Sequence, residues 1–173
     1  MKSGLTLQRI KPCRPVNLNA SCIVNEDKVK ELYTLTIELE SGMYADSEWK
    51  RVIEAPEDLD LFDLHLFIQK IIGFDNDHLF EFFVGKNWRK RERVFGDEDE
   101  YGFEKREGLD TMLNEVYPIT GSKLFYHFDF GDSWIFRIKK GRKKKHVEKG
   151  ITYPKVIEVE GENPEQYPSW EDE

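Results

Sequence analysis

Four histidines and a scatter of aspartates are the residues through which this chain could do chemistry. His127 and Asp129 stand two apart and could orient as a base and its carboxylate. Asp132 and Ser133 follow them in the Gly131-Asp132-Ser133 turn. His65 and His78 could come together and hold a metal with Asp129 or Asp132. A hydrolase-like or metal-dependent enzyme would then draw on His65, His78, His127, Asp129 and Asp132, with at least three of them converging in one cleft.

Each of these residues also has a plainer reading. No HExxH or similar short spacing joins the histidines. A core-facing histidine is usually neutral and hydrogen-bonded, and Gln69 is a natural partner for His65. Ser133 lacks the glycine-flanked elbow of a G-x-S-x-G nucleophile. Asp129, Gly131, Asp132 and Ser133 together read as turn chemistry that holds a hairpin. Trp134 reads as a core anchor rather than a ligand platform. Asp97, Asp99 and Gly102 look like the start of a calcium loop, but Gly108 stands where the bidentate acid is needed. No phosphate-cradling glycine loop and no dinucleotide fingerprint occurs. No metal and no cofactor is expected, and the balance falls on a binding or accessory module rather than an enzyme.

A second chemistry is electrostatic. Lys139, Lys140, Arg142, Lys143, Lys144 and Lys145 extend a strand into a basic wing. With Trp88, Arg89 and Arg91 near it, the wing could track the phosphates of a nucleic acid. The net charge of −8 argues against a general nucleic-acid coat. The remaining charge runs, acidic over Asp97–Glu107 and at the C-terminal end, read as solvated loops and tails.

These side chains must be positioned by regular elements. Tyr33, Leu35, Ile37 and Leu39 alternate with polar residues, which predicts a half-buried strand. A second strand runs from about Trp49 to Ala55, stopped by Pro56. Asp60 is an N-cap for a helix over Leu61–Ile72, and Gly73 fits its left-handed C′ position. Leu61, Leu64, His65, Ile68 and Ile72 share one stripe. Phe62, Leu66 and Phe67 lie outside it, which predicts burial on a second side or a homodimer contact. Strands are expected over Leu79–Val84 and Arg91–Phe95, a short helix over Leu109–Glu115, and a last extended segment over Ile151–Glu160.

Leu124–Phe130 and Trp134–Lys139 form a hairpin around Gly131-Asp132-Ser133. A three-residue loop sets Phe130 opposite Trp134 and His127 opposite Arg137; a two-residue loop sets His127 opposite Phe136 instead. The expected class is α+β: a mainly antiparallel sheet built from hairpins, with one main helix (about residues 61–72) packed on a face. Residues 1–30 read as an N-terminal extension, 31–168 as the domain, and 169–173 as an acidic tail.

The 173 residues contain only two cysteines, Cys13 and Cys22, too few for a disulfide framework or a zinc set. With no apolar signal core near Met1, a cytoplasmic location is expected. No stretch approaches the roughly 18 apolar residues of a membrane span.

The run Tyr126-His127-Phe128-Asp129-Phe130-Gly131-Asp132-Ser133-Trp134 resembles the signature of the plasmid ORF-3-like family, known from Ri-type plasmids and as a passenger protein of some insertion elements. Trp49-Lys50-Arg51-Val52-Ile53 is similar to that family's Trp-Arg-Arg-Ile strand. Leu61, Leu64-His65, Ile68-Gln69 and Gly73-Phe74, then His78-Leu79 and Phe82, match its helix and next strand. Tyr153-Pro154 matches a Tyr-Pro step after the hairpin. The resemblance covers about Tyr33 to Pro168. It implies an α+β fold of mostly uncharacterised function, linked by context to mobile elements, and it brings no catalytic mechanism. Two departures stand out. Phe136 replaces a histidine common in the family, and Asn163-Pro164-Glu165 stands where many members have a cysteine-containing Pro-Pro-Glu-Asp tail. A metal or redox role resting on those residues is not carried over.

Overall fold

Alternating apolar and polar residues make strands, and here they make one very wide sheet. The computed structural model describes residues 31–45, 48–97, 105–117, 119–143 and 145–168. Its elements are β1 (Glu31–Ser41), β2 (Lys50–Pro56), α1 (Leu61–Ile72), β3 (Phe80–Asn87), β4 (Lys90–Phe95), β5 (Arg106–Glu107), α2 (Leu113–Val116), β6 (Lys123–Phe128), β7 (Trp134–Lys140), β8 (Lys145–His146) and β9 (Lys155–Glu160). The strands join in the order β5-β4-β3-β6-β7-β1-β2-β9, with β8 paired to β1. All neighbours are antiparallel except β4 and β5, which run parallel.

One face carries the main core. Leu35, Ile37, Ile53, Phe82, Tyr126, Phe128, Trp134 and Phe136 pack there with the α1 stripe Leu61, Leu64, Ile68 and Ile72. Fully burying one such side chain stabilises the fold by about 1.5–3 kcal/mol relative to exposure. Asp60 caps α1 by accepting from Asp63 N at 2.7 Å. Gly73 ends the helix in the left-handed region at φ 82°, which costs glycine little. Gly42 is needed for space, because a Cβ there would sit 2.8 Å from the Trp134 ring.

The opposite face has a smaller apolar cluster of Phe83, Val94, Phe125 and Ile135, with Trp88 against it. Beside it runs a layer of ion pairs: Arg137 to Glu38 at 2.7 Å, Lys139 to Glu38 at 2.8 Å and Lys50 to Glu158 at 3.0 Å.

Three expectations are corrected. The α+β class with one main helix packed on a face gives way to a large mixed sheet. Nine strands are joined in it, and the two helices among the described residues have only twelve and four residues. Two-residue strands such as β5 and β8 are too short to show a period, so the sheet is wider than alternation alone reveals. The second side of α1 is not buried throughout, since Phe62 is 46% exposed.

The β6–β7 hairpin also closes differently. Phe128, not Phe130, faces Trp134, and His127 faces Ile135 across a loop of residues 129–133. Asp129 leaves the strand at φ 53° and folds its side chain back on the amides that follow. That turn ends β6 two residues early and leaves Phe130 exposed. Residues 1–30 with both cysteines, Asp99 and Gly102 of the calcium-loop pattern, Lys144 and the 169–173 tail lie outside the described residues.

Candidate functional site

Period two sends neighbouring residues of β6 to opposite faces, and two polar clusters result. Tyr126 points into the main core, between Phe82 and Phe136. A hydroxyl buried there needs partners. It accepts from Gln69 Nε2 at 2.8 Å and donates to His65 Nδ1 at 2.7 Å. The bond network assigns the tautomer: His65 Nε2–H donates to Asn76 Oδ1 at 2.7 Å. The imidazole stacks on Phe80 with ring centres 3.4 Å apart. Burial pushes His65 down to about 4, a shift the Asn76 bond only partly opposes. Burial likewise raises the Tyr126 phenol well above its ordinary value, against a weaker pull from Gln69. Both groups are therefore neutral near pH 7, and the cluster reads as core structure rather than proton-transfer machinery.

His127 faces the other side. It stands opposite Glu81 of β3, and Nδ1 lies 3.2 Å from Glu81 Oε1. Nε2 lies 3.2 Å from Ser133 Oγ. Glu81 is 1% exposed, and two guanidiniums balance its charge. Arg91 reaches Oε1 at 2.7 Å, and Arg106 reaches Oε2 at 3.3 Å. The loop bearing Ser133 is held by Asp129, whose Oδ1 accepts from Gly131 N at 2.9 Å and Asp132 N at 3.4 Å. Asp129 O accepts from Ser133 N at 2.6 Å. The result sets a carboxylate at one nitrogen of the His127 imidazole and a hydroxyl at the other.

His78 belongs to a third, more exposed group. Its Nε2 lies 2.9 Å from Tyr167 Oη, 3.6 Å from Asp129 Oδ2 and 3.8 Å from Asp77 Oδ1. Tyr167 donates to Asp77 Oδ2 at 2.5 Å, which pushes the phenol up to about 12. Gln166 donates to both Asp77 and Tyr167 at 2.8 Å.

The five histidines and aspartates singled out in the sequence thus do not share one cleft. His65 and His127 lie on opposite faces, and only His78 and Asp129 approach each other. Asp132 contributes backbone contacts to the loop. Among the described residues no group of three or more His, Cys, Asp and Glu is placed to hold a metal. The carboxylate that meets His127 is Glu81, which sequence reasoning missed. Its signal was a lone acid inside the aromatic run Phe80–Phe83, a position that demands a buried partner.

The basic residues gather at one end of the sheet. The end of β3 lies beside the starts of β4 and β6, and the start of β6 lies beside the end of β7. Lys86, Arg89, Lys90, Lys123, Lys139, Lys140, Arg142 and Lys143 therefore share that end. Lys139 is paired to Glu38, Lys145 to Glu54, and Lys140 lies 4.3 Å from the Tyr33 ring centre. Lys86, Lys90, Lys123, Arg142 and Lys143 are exposed and have no acidic partner among the described residues. Arg89 stacks on Trp88 at 4.2 Å. No helix among the described residues is long and apolar enough to cross a membrane.

A wide, mostly antiparallel sheet with a Tyr-His-Phe-Asp-Phe-Gly-Asp-Ser-Trp hairpin defines the class. The chain belongs to the plasmid pRiA4b ORF-3-like family, whose model matches residues 31–167. It is 33% identical over 116 residues to the uncharacterized protein y4hQ of Sinorhizobium fredii. That match covers 66% of this chain and 56% of y4hQ, so the chain spans just over half of that relative's length. The fold is similar to that of MM3350, a protein of unknown function from Methanosarcina mazei, with a TM-score of 0.63 at 22% identity. The likeness covers 76% of this chain and 71% of MM3350.

Proposed function

We propose that the chain is a binding or accessory module of mobile genetic elements, and that it binds nucleic acid by phosphate contacts at the basic end of its sheet. The observation that carries this reading is the meeting of two basic runs, Lys86–Lys90 and Lys139–Lys143, which stand about fifty residues apart in sequence and close together in the sheet. The strands β4, β3, β6 and β7 place these charges along about 14 Å, three strand spacings. That length is enough to follow several phosphates, and unpartnered cations release counterions when phosphates replace them. Acids pair Lys139 and Lys145, so the work falls on Lys86, Lys90, Lys123, Arg142 and Arg89 with its Trp88 platform.

The test is fluorescence anisotropy with labelled single-stranded DNA, duplex DNA and RNA between 50 and 300 mM salt. Affinity is expected to fall steeply with salt. A Lys86→Glu, Lys90→Glu, Arg142→Glu variant is expected to weaken binding at least about tenfold. It should also flatten the salt slope by roughly 0.9 for each duplex phosphate it no longer neutralises. Absent or salt-independent binding overturns the reading, and so does a variant that binds like the wild type.

A further inference from the structure

The loop that closes the β6–β7 hairpin lies at the opposite end of the sheet from the basic charges. We propose that Ser133 is an activated nucleophile that takes an acyl or phosphonyl group from an activated ester, with His127 as its general base and Glu81 as the group that orients His127. The Glu81 carboxylate can only accept, so His127 Nδ1 carries the proton and donates across 3.2 Å. Nε2 then offers its lone pair to the Ser133 hydroxyl, also at 3.2 Å. Arg91 and Arg106 hold Glu81 in place from its two oxygens. Ser133 sits at φ 56°, a region a serine adopts only under constraint, and such strain gathers at working residues.

The step balances. Ser133 Oγ forms a bond to the carbonyl carbon or phosphorus, and its proton passes to His127 Nε2. The bond to the leaving group breaks, and that proton departs with it, with the alcoholate of an ester or with the fluoride of a fluorophosphonate. The amides of Gly131, Asp132 and Ser133 are already given to Asp129, so they do not stabilise an oxyanion. Ser133 is accordingly modified once per chain, with little turnover.

The probe is an alkyl fluorophosphonate, read by intact mass and by peptide mapping. The folded chain is expected to gain one phosphonyl group, on Ser133, on the order of 100-fold faster than the urea-unfolded chain, the usual scale of general-base help. His127→Gln should remove the advantage. Glu81→Gln should slow the labelling of the folded chain, and Glu81→Asp, which keeps the carboxylate beside His127, should restore it in part. Ser133→Gly suits the local backbone, so it should keep the fold by circular dichroism and take no label. Labelling elsewhere, labelling no faster than in the unfolded chain, or an unchanged rate in His127→Gln overturns the proposal.

Discussion

His65 and His127 stand on opposite faces of one sheet, and each has both ring nitrogens engaged. What separates them is the charge of their partners. His65 meets a phenol and an amide, under a helix, with its ring flat against Phe80. Neither partner carries a negative charge, so burial outweighs the Asn76 bond and the imidazole stays neutral. His127 meets a carboxylate and a hydroxyl, in a setting that also contains two guanidiniums. The same side chain is thus a neutral packing element on one face and the partner of a buried carboxylate on the other.

The widest gap between the two sites opens on replacing the carboxylate. Glu81→Gln turns Arg91 and Arg106 toward a neutral amide beside His127. Breaking such a buried pair costs about 3–5 kcal/mol, and urea unfolding at pH 7 measures it. A loss below about 1 kcal/mol would mean the guanidiniums find other partners at once.

Acid probes the other site. His65 titrates at about 4 when folded against an ordinary 6.5, so the unfolded chain takes up the proton first. Its contribution is whole above about pH 6.5 and is lost as the pH falls toward 4. The gap is worth about 3 kcal/mol. Unfolding free energies at pH 7 and pH 4.5 should therefore diverge more in the wild type than in His65→Gln. Equal pH dependence in the two would show that His65 is not the group responsible.

Tyr126→Phe is smaller. It removes the hydroxyl between Gln69 and His65 and leaves the ring in place. Two buried groups are left without that partner, which costs about 1–3 kcal/mol by urea unfolding. The His127 side should not register the change, so fluorophosphonate labelling of Ser133 should keep its wild-type rate.

The two sites are unequally legible in the sequence. The helix stripe Leu61, Leu64, His65, Ile68 and Ile72 and the Gly73 stop announce themselves by period, and so His65 is expected on a packed face. Gln69 does belong to its cluster, although the bond runs through Tyr126. The His127 site depends on register, which alternation does not fix. Placing Phe130 opposite Trp134 shifts β6 by two residues, and only the Asx turn at Asp129 decides the matter. Glu81 is hidden for a different reason: its partner lies 46 residues away, and only the pairing of β3 with β6 brings them together. One clear periodic helix also masks how much of the chain is sheet.

The finest distinction concerns Ser133 itself. Ser133→Ala and Ser133→Gly remove the same hydroxyl and the same hydrogen bond to His127 Nε2. They differ only in the backbone, where alanine keeps the cost of φ 56° and glycine escapes it. The glycine variant should therefore be more stable than the alanine variant by about 1 kcal/mol in urea unfolding, less what glycine loses by freeing the unfolded chain. If alanine proved as stable, the loop could relax around residue 133. Asp129 would then be holding Ser133 in place without strain, and φ 56° would carry no cost at residue 133.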